Sequence, residues 1–161
     1  MIFVDLDGVL ADFDRGYREE FGTDASKATD NVDWKKVRAR QGFYERLHPM
    51  PDALEMFGII GDICDEYGLG DPTILTGVPA SVPEAPENKI RWVHRHISRF
   101  VPVITCPSKN KSHFCERGDV LIDDWEKYRD LWIAKGGVFI THTDPASTIS
   151  VLRYTLRMAV E

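Results

Sequence analysis

Two aspartates stand two residues apart, Asp5 and Asp7, directly after the apolar run Ile2–Val4. Carboxylates that close repel each other and destabilise a fold unless a divalent cation or hydrogen bonds compensate. Gly8 comes next, and glycine lets the chain turn sharply and bring backbone amides near a phosphate. A second acidic pair, Asp123 and Asp124, follows the apolar run Val120–Ile122. On a parallel sheet the ends of two such strands are neighbours, so the four carboxylates are expected to converge. Hard oxygen donors with no competing His or Cys cluster favour magnesium over zinc. An Asp-Asp pair after a strand is also an ordinary helix N-cap, so the second pair draws its weight from the first.

Weaker signals surround these pairs. Thr76 and Gly77 close the run Thr73–Leu75, where a hydroxyl and free amides can hold phosphate oxygens, although the same pair makes a common turn. Lys109 and Lys111 lie in Pro107-Ser108-Lys109-Asn110-Lys111. Ser108 is placed to cap a short helix with Lys111 in its first turn, near the carboxylates, whereas the plain alternative is a solvated lysine. His94 and His96 are two apart on a helix and cannot chelate together. His48, His113 and His142 are isolated, and the cysteines have no basic partner at a telling spacing.

Five short apolar runs read as strands: Ile2–Val4, Thr73–Leu75, Val101–Ile104, Val120–Ile122 and Val138–Ile140. They are near-continuous, as in strands covered on both faces. Helical patterns alternate with them. Ala53, Phe57, Ile60 and Cys64 make one apolar stripe; Ile90, Val93 and Ile97 make another, with Lys89, Arg91 and Arg95 on other faces. Tyr128 and Trp132 sit four apart. Asp144 and Pro145 start a last helix whose buried stripe is Ile149, Leu152, Leu156 and Ala159. Strand–helix alternation implies a doubly wound α/β fold. One stretch departs from it: residues 14–49 hold helical pieces around Phe13–Phe21 and Trp34–Arg40 and no convincing strand. This segment reads as a small helical cap over the carboxyl edge of the sheet, with residues 1–13 and 50–161 as the core domain.

The 161 residues, 43% hydrophobic and 29% charged, suit one domain with a real core and exclude wholesale disorder. A net charge of −6 argues against coating polymeric nucleic acid, yet one pocket can still be basic. Three cysteines without a CxxC pair point to reduced thiols in a cytosol. The first residues lack the basic start and apolar stretch of a signal peptide, and no apolar run approaches the roughly 18–20 residues that span a bilayer. A cytoplasmic protein without membrane partners, monomeric or homodimeric, is the expectation.

The segments DLDGVLADF, ILTG, SKNK and LIDDW, in that order, resemble the four motifs of the haloacid dehalogenase superfamily of phosphohydrolases. Within it the chain is most similar to the 5′(3′)-deoxyribonucleotidase group (5′ nucleotidase, deoxy, cytosolic type C), whose members share Gly42-Phe43-Tyr44 with Pro49-Met50-Pro51, Lys89-Ile90-Arg91-Trp92-Val93 and Gly136-Gly137. The resemblance covers most of the chain. It implies a Rossmann-like three-layer α/β/α core with a mainly parallel five-stranded sheet and a small helical cap inserted after the first strand.

For the site, the resemblance implies that Asp5 attacks phosphorus and forms an aspartyl-phosphate, and that Asp7 serves as acid and then base. It implies Mg2+ held by the Asp5 carboxylate, the Asp7 backbone carbonyl and Asp123, with Asp124 supporting that shell. Thr76, the Gly77 amide and Lys111, with Lys109 in reserve, would neutralise phosphate oxygens. Gly77 stands where many relatives carry serine, so a side-chain contact from that position is missing. Phe13, Trp34, Phe43 and Tyr44 are candidates to stack on a nucleobase or, equally, to pack the cap.

The function implied is a magnesium-dependent phosphomonoesterase acting on nucleoside monophosphates, 5′- or 3′-deoxyribonucleotides above all. Three alternatives stay open at this point. The ester can be another small phosphate; the chain can be a phosphoacceptor module; or it can bind phosphate without turnover. A receiver module places its acidic pair after the first strand and its acceptor alone on a central one, an order this chain does not follow.

Overall fold

The computed structural model describes residues 1–25 and 30–161. Five strands form a single sheet: β1 (Ile2–Val4), β2 (Thr73–Gly77), β3 (Val103–Cys106), β4 (Val120–Asp123) and β5 (Val138–Thr141). All neighbours are parallel, in the order β3-β2-β1-β4-β5. The first strand is therefore central, with β2 on one side and β4 on the other. Successive strands add outward from β1 to β3, then the chain crosses back to add β4 and β5. This reversal puts a topological switch point between β1 and β4, where open α/β sheets bind ligands beyond the strands' carboxyl ends.

Side chains alternate between the two faces of the sheet. Ile2, Val4, Ile74, Val120, Ile122 and Ile140 enter one core with α3 (Ala53–Glu66), α4 (Ala85–His96) and α6 (Pro145–Val160). Phe3, Leu75, Cys106 and Leu121 enter the other, which is closed by Trp132 of α5 (Arg129–Ala134). Phe3 meets Trp132 edge to face at 5.5 Å. Burial on both faces explains why the strands read as unbroken apolar runs.

The third strand begins two residues later than its apolar run suggests, at Val103. Pro102 has no N–H to place in a ladder, and its carbonyl instead accepts from Ile74 N at 2.9 Å. On α4 the buried face is Ala85, Asn88, Lys89, Trp92 and Val93, so the expected Ile90 stripe is rotated and Lys89 points inward. On α6, Asp144 caps the helix by accepting from Ser147 N at 2.9 Å, and Leu152 and Leu156 are buried. Ala159, expected in that stripe, is exposed because the helix end runs past the sheet.

Residues 14–49 carry α1 (Phe13–Phe21, counted from its first residue) and α2 (Trp34–Ala39), capped by Asp12 and Asp33. The segment leaves and returns at one place. Asp12 N donates to His48 O at 2.8 Å, and Met50 N donates to Leu10 O at 2.7 Å. Its apolar side chains Tyr17, Val37, Phe43 and Tyr44 join the same core as the sheet's first face.

Candidate active site

The site forms where β1 and β4 end side by side. Val4 is in register with Ile122, and Asp5 N donates to Ile122 O at 2.9 Å, which sets Asp5 beside Asp123. Past Asp5 the chain curls tightly: Leu10 and Ala11 both donate to the Leu6 carbonyl, at 2.8 and 2.9 Å. Gly8 takes φ +80°, and a β-carbon there would collide with the Asp124 carboxylate. Glycine is thus required twice at that position, for conformation and for close approach.

Carboxylate oxygens of Asp5, Asp123 and Asp124 lie within 4.8 Å of one another. Asp7 does not join this group through its carboxylate, contrary to the expected convergence of four. Its Oδ2 instead lies 2.7 Å from Lys89 Nζ, and that ammonium also donates to Thr76 Oγ1 at 3.1 Å and to the Gly77 carbonyl at 2.6 Å. The Tyr44 ring lies under the same ammonium at 4.6 Å from its centroid. A buried lysine ties the ends of β1 and β2 together.

Lys111 makes the second bridge. Its Nζ is 2.8 Å from Asp5 Oδ1 and 2.8 Å from Asp123 Oδ2. Burial alone would lower its pKa, but the Asp5 and Asp123 carboxylates override this and hold the ammonium firmly protonated. Burial, with the neighbouring Asp5 carboxylate, pushes the Asp123 carboxyl up to about 6, against the pull of Lys111 and the Trp125 N–H. Lys109 is exposed and lines a neighbouring cleft. Ser108 begins the 3-10 turn Ser108–Phe114 but makes no side-chain cap, unlike the sequence expectation.

That cleft has a volume of about 270 Å³. Asp30, Val32 and Trp34 of the inserted segment face Gly77–Pro79, Pro107–Lys109, Trp125 and Tyr128 across it. The size sits near the lower end of small-molecule pockets and suits a compact ester. Of the four aromatics expected to stack on a base, Trp34 alone lines this cleft. Phe13, Phe43 and Tyr44 are each no more than 2% exposed and pack on one another with centroids 5.4–6.0 Å apart. Their rings belong to the core beneath the inserted segment.

Sequence reasoning missed Lys89 and Trp125. An apolar-stripe reading put Lys89 on the solvent side of α4, and the only hint of burial was its place four residues after Ala85 and three before Trp92. Trp125 follows the acidic pair directly, and its N–H donates to Asp123 Oδ1 at 3.0 Å.

A family model described as 5′ nucleotidase, deoxy (Pyrimidine), cytosolic type C protein matches residues 1–145. The chain belongs to that family. No curated protein matches it. The type C nucleotidase family is haloacid dehalogenase-like, and the all-parallel five-stranded sheet flanked by helices fits that fold. Membership assigns the chain to nucleotidases as a class, and such nucleotidases generally use a divalent metal. No helix among the described residues is long and apolar enough to cross a membrane.

The residues present fit such an ion. Among the described residues, the carboxylates of Asp5, Asp123 and Asp124 gather within 4.8 Å of one another, with Lys111 bridging Asp5 and Asp123. Oxygen donors of this kind suit a hard divalent cation.

Proposed function

We propose that this type C family member is a Mg2+-dependent phosphomonoesterase that hydrolyses nucleoside monophosphates, 5′- or 3′-deoxyribonucleotides, through an aspartyl-phosphate. The observation that carries the reading is the placement of Asp5 between a buried ammonium and a group of carboxylates that would hold a cation. It lies against Lys111 on one side and in the acidic group with Asp123 and Asp124 on the other. A metal there would be held by Asp5, Asp123 and the backbone of Asp7, with Asp124 supporting, and would supply charge neutralisation of the phosphoryl oxygens.

Asp5, 2.8 Å from Lys111 Nζ, attacks phosphorus in line; the P–O bond to the leaving alkoxide breaks and an acyl phosphate forms on Asp5. Asp7 delivers a proton to that alkoxide. In the second half Asp7 takes a proton from water, whose oxygen attacks phosphorus and frees Asp5. Lys89, 2.7 Å from Asp7 Oδ2, holds the Asp7 carboxyl in place. Thr76, the Gly77 amide and Lys111, with Lys109 further out, share the phosphate charge. The leaving group lies in the cleft against Trp34 and Trp125.

The localisation we infer is the cytoplasm, and residues 14–49 act as a cap on the core domain of 1–13 and 50–161. The test is phosphate release from a panel of nucleoside monophosphates and sugar phosphates, with magnesium and again with EDTA. Preferred turnover of nucleoside monophosphates that EDTA abolishes is the expected result. Equal rates in both arms would remove the metal from the reaction, and stoichiometric, long-lived labelling without turnover would favour a phosphoacceptor module.

A further inference from the structure

Ser108 and Gly77 occupy one small space at the carboxyl edge of the sheet. A β-carbon built on Gly77 would collide with Ser108 Oγ and lie 3.0 Å from Ser108 Cβ. The serine hydroxyl therefore sits over the Gly77 backbone, in the volume that a side chain at position 77 would fill. Gly77 has no positive φ, so its backbone would accept a side chain, and Ser108 is what stands in the way.

The capping position of the turn is Pro107, so Ser108 lies inside the turn and its hydroxyl does not cap it. Its surroundings are those of a ligand. Ser108 lines the leaving-group cleft, together with Gly77, Trp34 and Trp125. It also lines the small hollow beneath, together with Lys111 and Asp123. Lys111, which lines that hollow, lies 2.8 Å from Asp5 Oδ1, so Ser108 shares one wall with the cleft and another with the ammonium that touches Asp5. The neighbouring Thr76 hydroxyl accepts from Lys89 and keeps its own proton to donate, so Ser108 adds a second hydroxyl donor at this edge.

We propose that Ser108 Oγ–H donates a hydrogen bond to a phosphoryl oxygen of the substrate, and that the missing side chain at Gly77 exists to admit it. The proposal rests on the phosphohydrolase reading above, and its test uses inorganic phosphate binding as well as turnover so that the two can fail separately.

Calorimetric titration of the magnesium-loaded protein with inorganic phosphate, beside kcat/KM on a nucleoside monophosphate, is to be run on four proteins: parent, Ser108→Ala, Gly77→Ser and Gly77→Ser/Ser108→Gly. A hydrogen bond to a charged group of this kind predicts about a ten- to hundredfold loss of phosphate affinity in Ser108→Ala. Gly77→Ser alone should lose as much, because two side chains contend for one place. The double variant returns a hydroxyl to that place from the other backbone and should recover to within about threefold of the parent. Ser108→Ala binding phosphate within twofold of the parent overturns the proposal, and so does a parent that binds no phosphate. A double variant as weak as Gly77→Ser overturns the exchange between the two positions. A parent that binds phosphate but never releases it from an ester overturns the enzymatic reading alone, and Ser108→Ala still decides the contact.

Discussion

Lys89 Nζ stands 2.7 Å from Asp7 Oδ2, with both side chains buried, and the same ammonium reaches the end of β2. Removing one member of such a pair leaves the other charged and out of water, which typically costs about 3–5 kcal/mol. Lys89→Met should therefore lower the unfolding free energy by about that much, read by urea denaturation. Asp7→Asn added to Lys89→Met should recover part of the loss, because it removes the stranded charge. A loss under about 1 kcal/mol in the single variant would show that Asp7 does not depend on Lys89.

Asp7→Asn by itself separates two roles. The amide is close in size, but it can neither protonate an alkoxide nor take a proton from water. Acid–base catalysis contributes roughly 10²–10⁴-fold, so kcat should fall by that order. Phosphate affinity should change far less, since the phosphate contacts assigned above do not pass through the Asp7 carboxylate. Hydrolysis at the parent rate by Asp7→Asn would remove Asp7 as acid and base.

The sheet was legible because its strands are covered on both faces and so appear as short apolar runs between helices. The two acidic pairs were legible for a related reason: nothing in a packed strand end requires Asp5 and Asp7, or Asp123 and Asp124, unless they meet a positive charge. What one-dimensional patterning could not see is how a long side chain crosses between elements. Lys89 looks like a solvent residue because its neighbours Arg91 and Arg95 are, yet Ala85 and Trp92 set the inward face of α4 and carry the lysine with them. The aromatics posed a different question. Phe13, Phe43 and Tyr44 are of the right type to stack on a base, but residue type does not say which rings pack on each other first. Trp34 differs in position, at the start of α2 on the edge of the cleft.

That difference predicts opposite phenotypes for two aromatic truncations. Stacking of a base on an aromatic ring is worth roughly 1–3 kcal/mol. Trp34→Ala should therefore raise KM for nucleoside monophosphates some five- to hundredfold while leaving turnover of glycerol phosphate, which has no ring, near the parent value. Phe43→Ala opens a hole in the core instead and should cost about 3–5 kcal/mol of stability. Steady-state kinetics on both esters, with thermal melts, tells them apart. If Trp34→Ala slows both esters equally, the cleft does not read the leaving group through this ring.

His142 gives the fold a pH dependence whose sign can be worked out. The ring is buried beside Thr148, with Nδ1 2.7 Å from Thr148 Oγ1, and burial lowers its pKa against a smaller opposing pull from Asp144. The folded state thus holds the His142 proton less tightly than the unfolded chain, where histidine titrates near its usual value of about 6.5. The stability from keeping it neutral is complete above that value and is lost as pH falls below it toward the folded pKa. Asp123, raised to about 6, acts in the opposite sense: its contribution is present at low pH and is lost as pH rises through that value. The two overlap, so the readout is a difference between proteins. In EDTA, between about pH 7.5 and 5, His142→Gln should lose less stability on acidification than the parent, and Asp123→Asn should lose more. Parallel stability curves for the parent and His142→Gln would mean that the buried imidazole accepts its proton without cost to the fold.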